Sequence, residues 1–337
     1  MALPDWARAH GAPLFPAVIR SQPDDFQVTE ELGFEFSGDG EHDLLFVEKT
    51  GANTEWVSRQ LAAHADVPAR DVGYAGLKDR HAVTRQWFSV PRWNSPEWDR
   101  LEVEGVRVVD LQRNNRKLRR GAHKGNRFRI VLGGALPKGG ALDERLQIIG
   151  RSGVPNYFGE QRFGRAGSNI ALADSWSRGK RLPRHKRSIA ISAARSYLFN
   201  LILDGRVREK TWNRIVLGDI ANLDGTGSVF QVEEVDDDLV RRCHELDIHP
   251  AGALFGDGTS SPCPSPDHAI WLRALTNARV KGGNRSLRLR VNDLAWSIAS
   301  DSLQLEFALG RGGFATSVLR EVAELTDGAQ HAVPVRR

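Results

Sequence analysis

Cysteine is almost absent from this chain of 337 residues, which contains only Cys243 and Cys263. They form no CxxC pair, so the sequence offers no disulfide framework, and two isolated thiols suit a reducing cytoplasm. The neighbouring histidines, His244, His249 and His268, add no spacing that is typical of a zinc finger. We therefore predict a cytoplasmic protein without a metal site.

Long apolar runs are also missing. No stretch is long enough to span a bilayer, and residues 1–20 lack the apolar core of a signal peptide. Neither a GxxxxGK(S/T) loop nor a GxGxxG loop between a strand and a helix occurs, which argues against ATP and dinucleotides as ligands. We therefore predict no membrane partner and no small-molecule cofactor.

The overall composition is ordinary, with 40% hydrophobic and 26% charged residues, and the length suits about two domains. Charge is unevenly spread, because residues 111–142 contain nine Lys or Arg and no acid. The formal charge of +5 less these nine leaves −4 for the remainder. Such a block predicts a polyanionic partner, since cations that neutralise phosphates release counterions. The alternative is a disordered basic arm, but the block continues into a strand-like alternation at 128–132.

The central stretch is GYAGLKDRHAVTRQWFSV, at residues 73–90. It places one carboxylate, Asp79, between Lys78 and Arg80, and it contains glycines that let a backbone turn or approach a ligand closely. A carboxylate kept ionised among cations is suited to act as a nucleophile toward a polyanionic substrate. The alternative is an exposed turn with solvated charges.

Within this stretch, AGLKDR and AVTRQWFS closely resemble the signature of the TruD family of tRNA pseudouridine synthases. The similarity extends from about residue 20 to residue 321 and includes further phrases, which are RSQPDDFQVTE at 20–30, KLRRGAHKGNRF at 117–128 and GFATSVLRE at 313–321. The resemblance implies that Asp79 is the catalytic aspartate and that Asn126 contacts the target uridine. It also implies that Phe26, Phe128 and Phe314 line the uridine site.

The resemblance implies isomerisation of a tRNA uridine to pseudouridine, in the family at position 13 of the D arm. The target base must leave its stack, and aromatic side chains return roughly 1–3 kcal/mol per stacked base. Asp79 would begin the reaction by attack on the sugar, by attack on the base or by abstracting a proton from the sugar. We expect the uracil to enter an apolar cavity with a positive rim.

Several basic residues are candidates for holding the tRNA. In an extended stretch both neighbours of Asp79 would point away from it and toward phosphates. The predicted phosphate ligands are Lys78, Arg80, Lys117, Arg119, Arg120 and Lys124. Arg20 stands where the family usually has a lysine, and we take it as a substrate-binding residue and as the candidate ion partner of Asp79. Asn126 is the alternative partner.

The resemblance also implies an α+β fold, in which a mixed-sheet catalytic domain is interrupted by an inserted α/β domain. Family architecture assigns residues 1–153 and 288–337 to the catalytic domain and 154–287 to the insertion. From the residues themselves we predict a helix from Asn53 or Thr54 to about Ala65 and another over 189–203, capped by Ser188 and ended by Gly205. We expect a monomer.

Two other classes of function fit parts of the pattern. A non-catalytic RNA-binding or RNA-folding protein would use the same basic patches, with Asp79 serving only as an ion partner. A metal-dependent nuclease fits less well, because the motif around Asp79 contains no second carboxylate. Substitution of Asp79 separates catalysis from binding, and cleavage of the RNA chain would reveal a nuclease.

Overall fold

The computed structural model describes residues 3–330 and shows an α+β protein with one large mixed sheet, two smaller sheets and seven helices. This confirms the expected fold class. The strands are β1 (Pro16–Ile19), β2 (Phe26–Leu32), β3 (His42–Thr50), β4 (Gly73–Tyr74), β5 (Val83–Pro91), β6 (Val106–Asn114), β7 (His123–Gly133), β8 (Val154–Pro155), β9 (Ile220–Leu223), β10 (Val229–Gln231), β11 (Ile248–Leu254), β12 (Gly283–Ser286), β13 (Arg288–Leu289), β14 (Asn292–Ile298), β15 (Ser302–Gly310) and β16 (Glu324–Asp327). The helices are α1 (Thr54–His64), α2 (Ala141–Ser152), α3 (Ser168–Ser177), α4 (Arg184–Arg208), α5 (Asp237–His244), α6 (Ala269–Asn277) and α7 (Ala315–Leu319).

The chain forms two compact units. Among the described residues, the sheet unit comprises Leu14–Leu142, Asn292–Gly312 and residues 323–330. The helical unit comprises residues 3–13, Asp143–Val291 and Gly313–Val322. These units differ from the expected domains, because residues 313–322 and 3–13 pack in the helical unit. The boundaries 1–153, 288–337 and 154–287 therefore stay a prediction about the functional domains.

The sheet unit is built on a ten-stranded sheet whose main path runs β14-β15-β7-β2-β5-β3-β6. β2 pairs with β5 in parallel and β1 with β16 in parallel, whereas the other pairs are antiparallel. The predicted alternation in β7 is confirmed, since Phe128, Ile130 and Leu132 are buried while Arg127 and Arg129 are exposed. One face of β7 therefore belongs to the core and the other carries cations.

Helix α1 packs on the same face of the sheet as the buried residues of β3 and β5. Val57 and Leu61 of the helix join Leu45, Val47 and Phe88 of the strands in one cluster. The helix begins at Thr54 and ends at His64, as the sequence predicts. Its N-cap residue, Asn53, makes no side-chain capping bond, and the hydroxyl of Thr54 is engaged elsewhere.

The helical unit has its core around α4, whose buried residues include Ala190, Ala194 and Phe199. The predicted start at Ser188 and end at Gly205 are wrong, because the helix runs for 25 residues from Arg184 to Arg208. Three cationic side chains among the first four residues of the helix, Arg184, Lys186 and Arg187, oppose the helix dipole, so the sequence argues against this early start. Packing of the buried face outweighs that local cost.

Candidate active site

The loop that carries Asp79 joins β4 to β5 and is fastened along β5 by side chains. Gln86 in β5 donates a 3.1 Å hydrogen bond from its Nε2 to the main-chain oxygen of Gly76. The hydroxyl of Thr54 donates to Gln86 Oε1 at 2.8 Å and accepts from the main-chain nitrogen of Lys78 at 3.0 Å. The first residue of α1 thus helps to fix the loop immediately before Asp79.

Lys78 forms a buried ion pair with Glu30 of β2, with 2.7 Å between Nζ and Oε2. The two side chains are only 5% and 0% exposed, and the other oxygen of Glu30 accepts from the main-chain nitrogen of Trp87 at 3.1 Å. The expected role of Lys78 as a phosphate ligand is therefore wrong. Its ammonium points inward and compensates a buried carboxylate that would otherwise be costly.

Lys49 of β3 lies beneath the same loop, and sequence reasoning missed it. Its Nζ donates to the main-chain oxygens of Ala52 at 2.7 Å and of Asp79 at 2.9 Å, and the residue is 1% exposed. Burial lowers the pKa of Lys49 to about 8, with the Asp79 carboxylate acting against the shift and the Lys78 ammonium adding to it. The signal was available, because Lys49 shares its strand face with Leu45 and Val47.

The side chain of Asp79 is exposed, so it does not lie in an enclosed apolar cavity of the kind that we expected to receive the uracil. The expected ion pair between Arg20 and Asp79 is wrong as well. Arg20 binds both carboxylate oxygens of Asp327 through Nε and Nη2, and its guanidinium lies 5.6 Å from the ring centre of Phe26. Within residues 3–330 the Asp79 carboxylate receives no hydrogen bond, from Asn126 or from any other residue.

Strand register places Asn126 and Phe128 on the sheet face that the Asp79 loop covers. Asn126 lies directly opposite Glu30 in β2, and Glu30 holds the residue next to Asp79. Phe128 lies opposite Val28 in the same pair of strands. The Oδ1 atom of Asn126 is buried and has no hydrogen-bond partner among the described residues. It is thus an acceptor whose hydrogen-bonding capacity the described residues leave unused.

Aromatic rings continue this face away from Asn126. The ring of Phe128 packs edge-on against Phe26 at 6.3 Å and stacks with Phe307 at 5.4 Å. Phe26 and Phe128 are 4% and 7% exposed. Both rings therefore also serve the core, which does not conflict with a role at the edge of a base-binding surface.

The basic segment 117–124 runs beside the Asp79 loop. The main-chain nitrogen of Gly121 donates to Ala75 O at 2.7 Å, and Arg311 binds Gly121 O at the same distance. The predicted phosphate ligands in and near this segment are exposed, namely Arg80, Lys117, Arg119, Arg120 and Lys124. His123 faces inward, and the pKa of its imidazole is lowered mainly by burial and then by the charge of Lys78.

Phe314 belongs to the helical unit, where it is half-buried directly before α7. Its ring lies 6.1 Å from that of Phe158, and the guanidinium of Arg285 lies 4.2 Å from the centre of the Phe158 ring. Burial and the charge of Arg162 lower the pKa of Arg285 to about 9. A nearly desolvated cation thus backs the aromatic pair.

Residues 3–330 contain no group of three or more His, Cys, Asp or Glu side chains placed to hold a metal ion. His249, one of the histidines near the cysteines, instead bonds Asp224 at 2.8 Å and accepts from the buried Arg288. Across the same residues, no helix combines the length and apolar character needed to cross a bilayer.

Comparison with known proteins places these features in a family. The family model described as tRNA pseudouridine synthase D (TruD) matches residues 11–174 and 171–322. A relative named tRNA pseudouridine synthase D from Methylococcus capsulatus is 45% identical over 95% of this chain and 94% of its own length. Relatives of the same name from Nitrosococcus oceani, at 45% over 92% and 91%, and Pseudomonas putida, at 43% over 97% and 97%, are also similar.

A solved structure shares the fold. The crystal structure assigned to tRNA pseudouridine synthase D from Methanosarcina mazei superposes with a TM-score of 0.67, at 19% identity, over 98% of this chain and 97% of the other. At that identity the likeness speaks for the architecture alone. The family match and the sequence relatives carry the assignment, and on their strength the chain belongs to the tRNA pseudouridine synthase D family.

Proposed function

We propose that this chain, a pseudouridine synthase by family, converts uridine to pseudouridine at position 13 in the D arm of tRNA, with Asp79 starting the reaction. The observation that carries the proposal is that residues of the family signature, Asp79 and Asn126, are connected through Glu30. Asp79 follows a lysine that is locked to Glu30, and Glu30 is paired in register with Asn126. These contacts support the proposal, because they hold the chain next to Asp79 over the sheet face that carries Asn126.

The chemistry requires a uridine that has left its helix. In our proposal the buried Oδ1 of Asn126 accepts a hydrogen bond from the N3–H of the uracil, because that atom has no partner among the described residues. Phe128 and Phe26 contribute apolar contacts to the base, and the energy of stacking offsets the cost of unstacking it. The role of Phe314 at the base stays a prediction from the family resemblance. Phosphates of the surrounding RNA are bound by five exposed cations, which are Arg80, Lys117, Arg119, Arg120 and Lys124.

Asp79 then cleaves or assists cleavage of the glycosidic bond, and the uracil rotates and rejoins the sugar through C5. Attack on C1′ of the sugar, attack on the base and abstraction of a sugar proton are all compatible with an exposed carboxylate. The product is an isomer of the substrate, so the overall reaction consumes no redox or phosphoryl energy. We further propose that the protein acts as a monomer in the cytoplasm, without a small-molecule cofactor.

Pseudouridine mapping of tRNA treated with the purified protein tests this function. We expect one new pseudouridine, at position 13, and release of tritium from tRNA labelled at C5 of uridine. Asp79→Asn should abolish both signals while tRNA binding is kept, which also separates an enzyme from a non-catalytic RNA-binding protein. Full activity of Asp79→Asn, or cleavage of the RNA chain without isomerisation, would overturn the proposal.

A further inference from the structure

A cavity of about 490 Å³ opens in the sheet unit beside the Asp79 loop. Its walls come from α1, the turn at 69–71, strand β4 and the basic segment. The polar and aromatic residues of the lining are Glu55, Arg59, Arg70, Tyr74, Lys117 and Arg120. The volume falls within the range of about 300–1,000 Å³ that is usual for small-ligand sites. It is much larger than a single phosphate group requires.

The cavity is held open by specific close packing. A Cβ atom on Gly73 would lie 2.4 Å from the main-chain oxygen of Leu118 and 2.5 Å from Ser89 Oγ, so only glycine lets the basic segment come this close to β4. The main-chain nitrogen of Leu118 donates to Ser89 Oγ at 2.9 Å. On the far side, Lys117 Nζ donates to Arg70 O at 2.6 Å. The two walls are therefore fixed relative to each other.

Cations dominate the lining. The lining contains a single carboxylate, Glu55, which lies 3.9 Å from Arg120. It contains four cations, which are Arg59, Arg70, Lys117 and Arg120. The Arg70 side chain is 85% exposed and its contact with Asp71 is long, at 3.9 Å. Arg59 is exposed and makes no hydrogen bond or ion pair with residues 3–330. The surplus of positive charge favours a phosphodiester over a neutral ligand.

The cavity also contains a planar stack. The guanidinium of Arg120 lies 3.9 Å from the ring centre of Tyr74 and donates to the tyrosine hydroxyl at 2.6 Å. Arginine planes and aromatic rings are the two surfaces on which proteins stack unpaired RNA bases. Cations for a phosphate and a plane for a base thus lie in one cavity, and together they match a nucleotide.

The cavity adjoins the loop that carries the proposed catalytic residue but does not include it. Glu55 follows Thr54, the residue that binds the main chain of Lys78. Tyr74 immediately precedes Ala75, whose oxygen is bonded to Gly121 of the basic segment. An RNA strand with its uridine near Asp79 would therefore bring neighbouring nucleotides to the mouth of this cavity.

We propose that the cavity binds a second nucleotide of the RNA substrate, distinct from the uridine that is isomerised. Arg59 and Arg70 hold its phosphate, and its base packs against the stack of Arg120 and Tyr74. This inference rests on the proposed function for the identity of the RNA. It adds a subsite that positions the tRNA and contributes to its affinity, not to the chemical step.

The test compares the double variant Arg59→Gln/Arg70→Gln with the matched control Arg100→Gln/Arg241→Gln, which removes two exposed arginines elsewhere. Affinity for tRNA is measured in the Asp79→Asn background over a range of salt concentrations. We expect about a tenfold loss of affinity for the cavity variant. A plot of the logarithm of the association constant against the logarithm of the salt concentration has a negative slope. This slope should become shallower by roughly 0.7–0.9 per lost phosphate contact. The control should retain the parental affinity and slope.

Tyr74→Leu tests the stack in the active enzyme, with leucine chosen to keep the apolar contact with Phe88. We expect the KM for tRNA to rise about fivefold or more, the lower end of what loss of one stacked base costs. The kcat at saturating tRNA should be unchanged, and a thermal midpoint above the assay temperature shows that the variant is folded. The subsite proposal is overturned if Arg59→Gln/Arg70→Gln keeps the parental affinity and salt slope. It is also overturned if the control variant loses as much affinity as the cavity variant. Absence of pseudouridine in treated tRNA overturns the proposed function instead and leaves the binding comparison intact.

Discussion

The ammonium of Lys49 lies 2.9 Å from the main-chain oxygen of Asp79 and supports the proposed catalytic loop from below. A second bond, to Ala52 O at 2.7 Å, anchors the same group to the turn before α1. The residue is 1% exposed. A buried cation thus connects the turn at Ala52 with the loop at Asp79. Desolvation is the largest cause of its lowered pKa of about 8.

Lys49 should make stability depend on pH in the alkaline range. Its pKa is about 8 in the folded protein and 10.5 in the reference state, so between these values the unfolded chain binds more protons. Below pH 8 the folded protein bears the cost of a buried charge on Lys49, so the contribution of this residue to the unfolding free energy is lowest there. The contribution rises as the pH increases toward 10.5. Denaturant unfolding of the parent and of Lys49→Met should show a difference that grows by at most roughly 3 kcal/mol over this window.

The parent and Lys49→Met contain the same tyrosines and the same other lysines. Comparing the two proteins therefore cancels the pH-dependent stability that these groups contribute in the same range. Lys49→Met should also loosen the Asp79 loop, which amide hydrogen exchange at residues 76–80 would detect. A constant stability difference between parent and variant from pH 7 to pH 11 would contradict a lowered pKa at this site.

The ion pair between Lys78 and Glu30 predicts a strongly non-additive pair of substitutions. Glu30→Gln alone leaves a buried ammonium without its counter-charge, which typically costs about 3–5 kcal/mol. The double variant Glu30→Gln/Lys78→Met removes both charges and should regain much of that loss. Equilibrium unfolding of the parent, both single variants and the double variant gives the coupling free energy. Simple additivity of the two single effects would show that the pair is not coupled.

Asn126 should be important for activity but not for stability. Its Oδ1 has no partner among the described residues, so Asn126→Ala should change the unfolding free energy little. Loss of a hydrogen bond to bound uracil should lower kcat/KM about 10–100-fold, corresponding to about 1–3 kcal/mol. Gln304→Ala, on the neighbouring strand β15, is a suitable control. A stable Asn126→Ala enzyme with parental kcat/KM would exclude the proposed contact.

Chelation should not affect turnover. The described part of the chain offers no cluster of metal ligands, and the proposed chemistry is assigned to a carboxylate. We expect full pseudouridine formation after extensive dialysis against EDTA, measured by tritium release. A refolded or heat-treated tRNA sample serves as the control for loss of RNA-bound Mg²⁺. Activity that is lost on dialysis and restored by a divalent cation with the same folded tRNA would argue for a metal at the site.

Local patterns predicted the parts of the structure that depend on neighbouring residues. The alternation in β7 and the boundaries of α1 are of this kind. The inward lysine at position 49 was overlooked, although it shares a strand face with Leu45 and Val47, because a charged residue at the end of an apolar strand is usually solvated. The partner of Arg20 was missed because Asp327 lies 307 positions away, and no short-range pattern links them. The start of α4 was missed because burial outweighed the unfavourable charges of its first turn.

Register explains why the site itself was harder to predict than its residues. The signatures named Asp79 and Asn126, but only the pairing of β2 with β7 shows that Glu30 connects them. Glu30 alternates with Phe26 and Val28, so its burial was visible in the sequence, whereas its partner was not. Lys78 was placed outward because a regular extended stretch was assumed. Bonds from Thr54 and Gln86 turn the loop instead.

Strand β7 lies between β2 and β15, which are separated by about 270 positions along the chain. During synthesis, β7 emerges from the ribosome with one of its two edges unprotected until residue 310 has followed. A translating ribosome therefore carries an unfinished sheet for most of the elongation time, and exposed strand edges favour aggregation. Chaperone demand should for that reason be greatest just before the last strands are made.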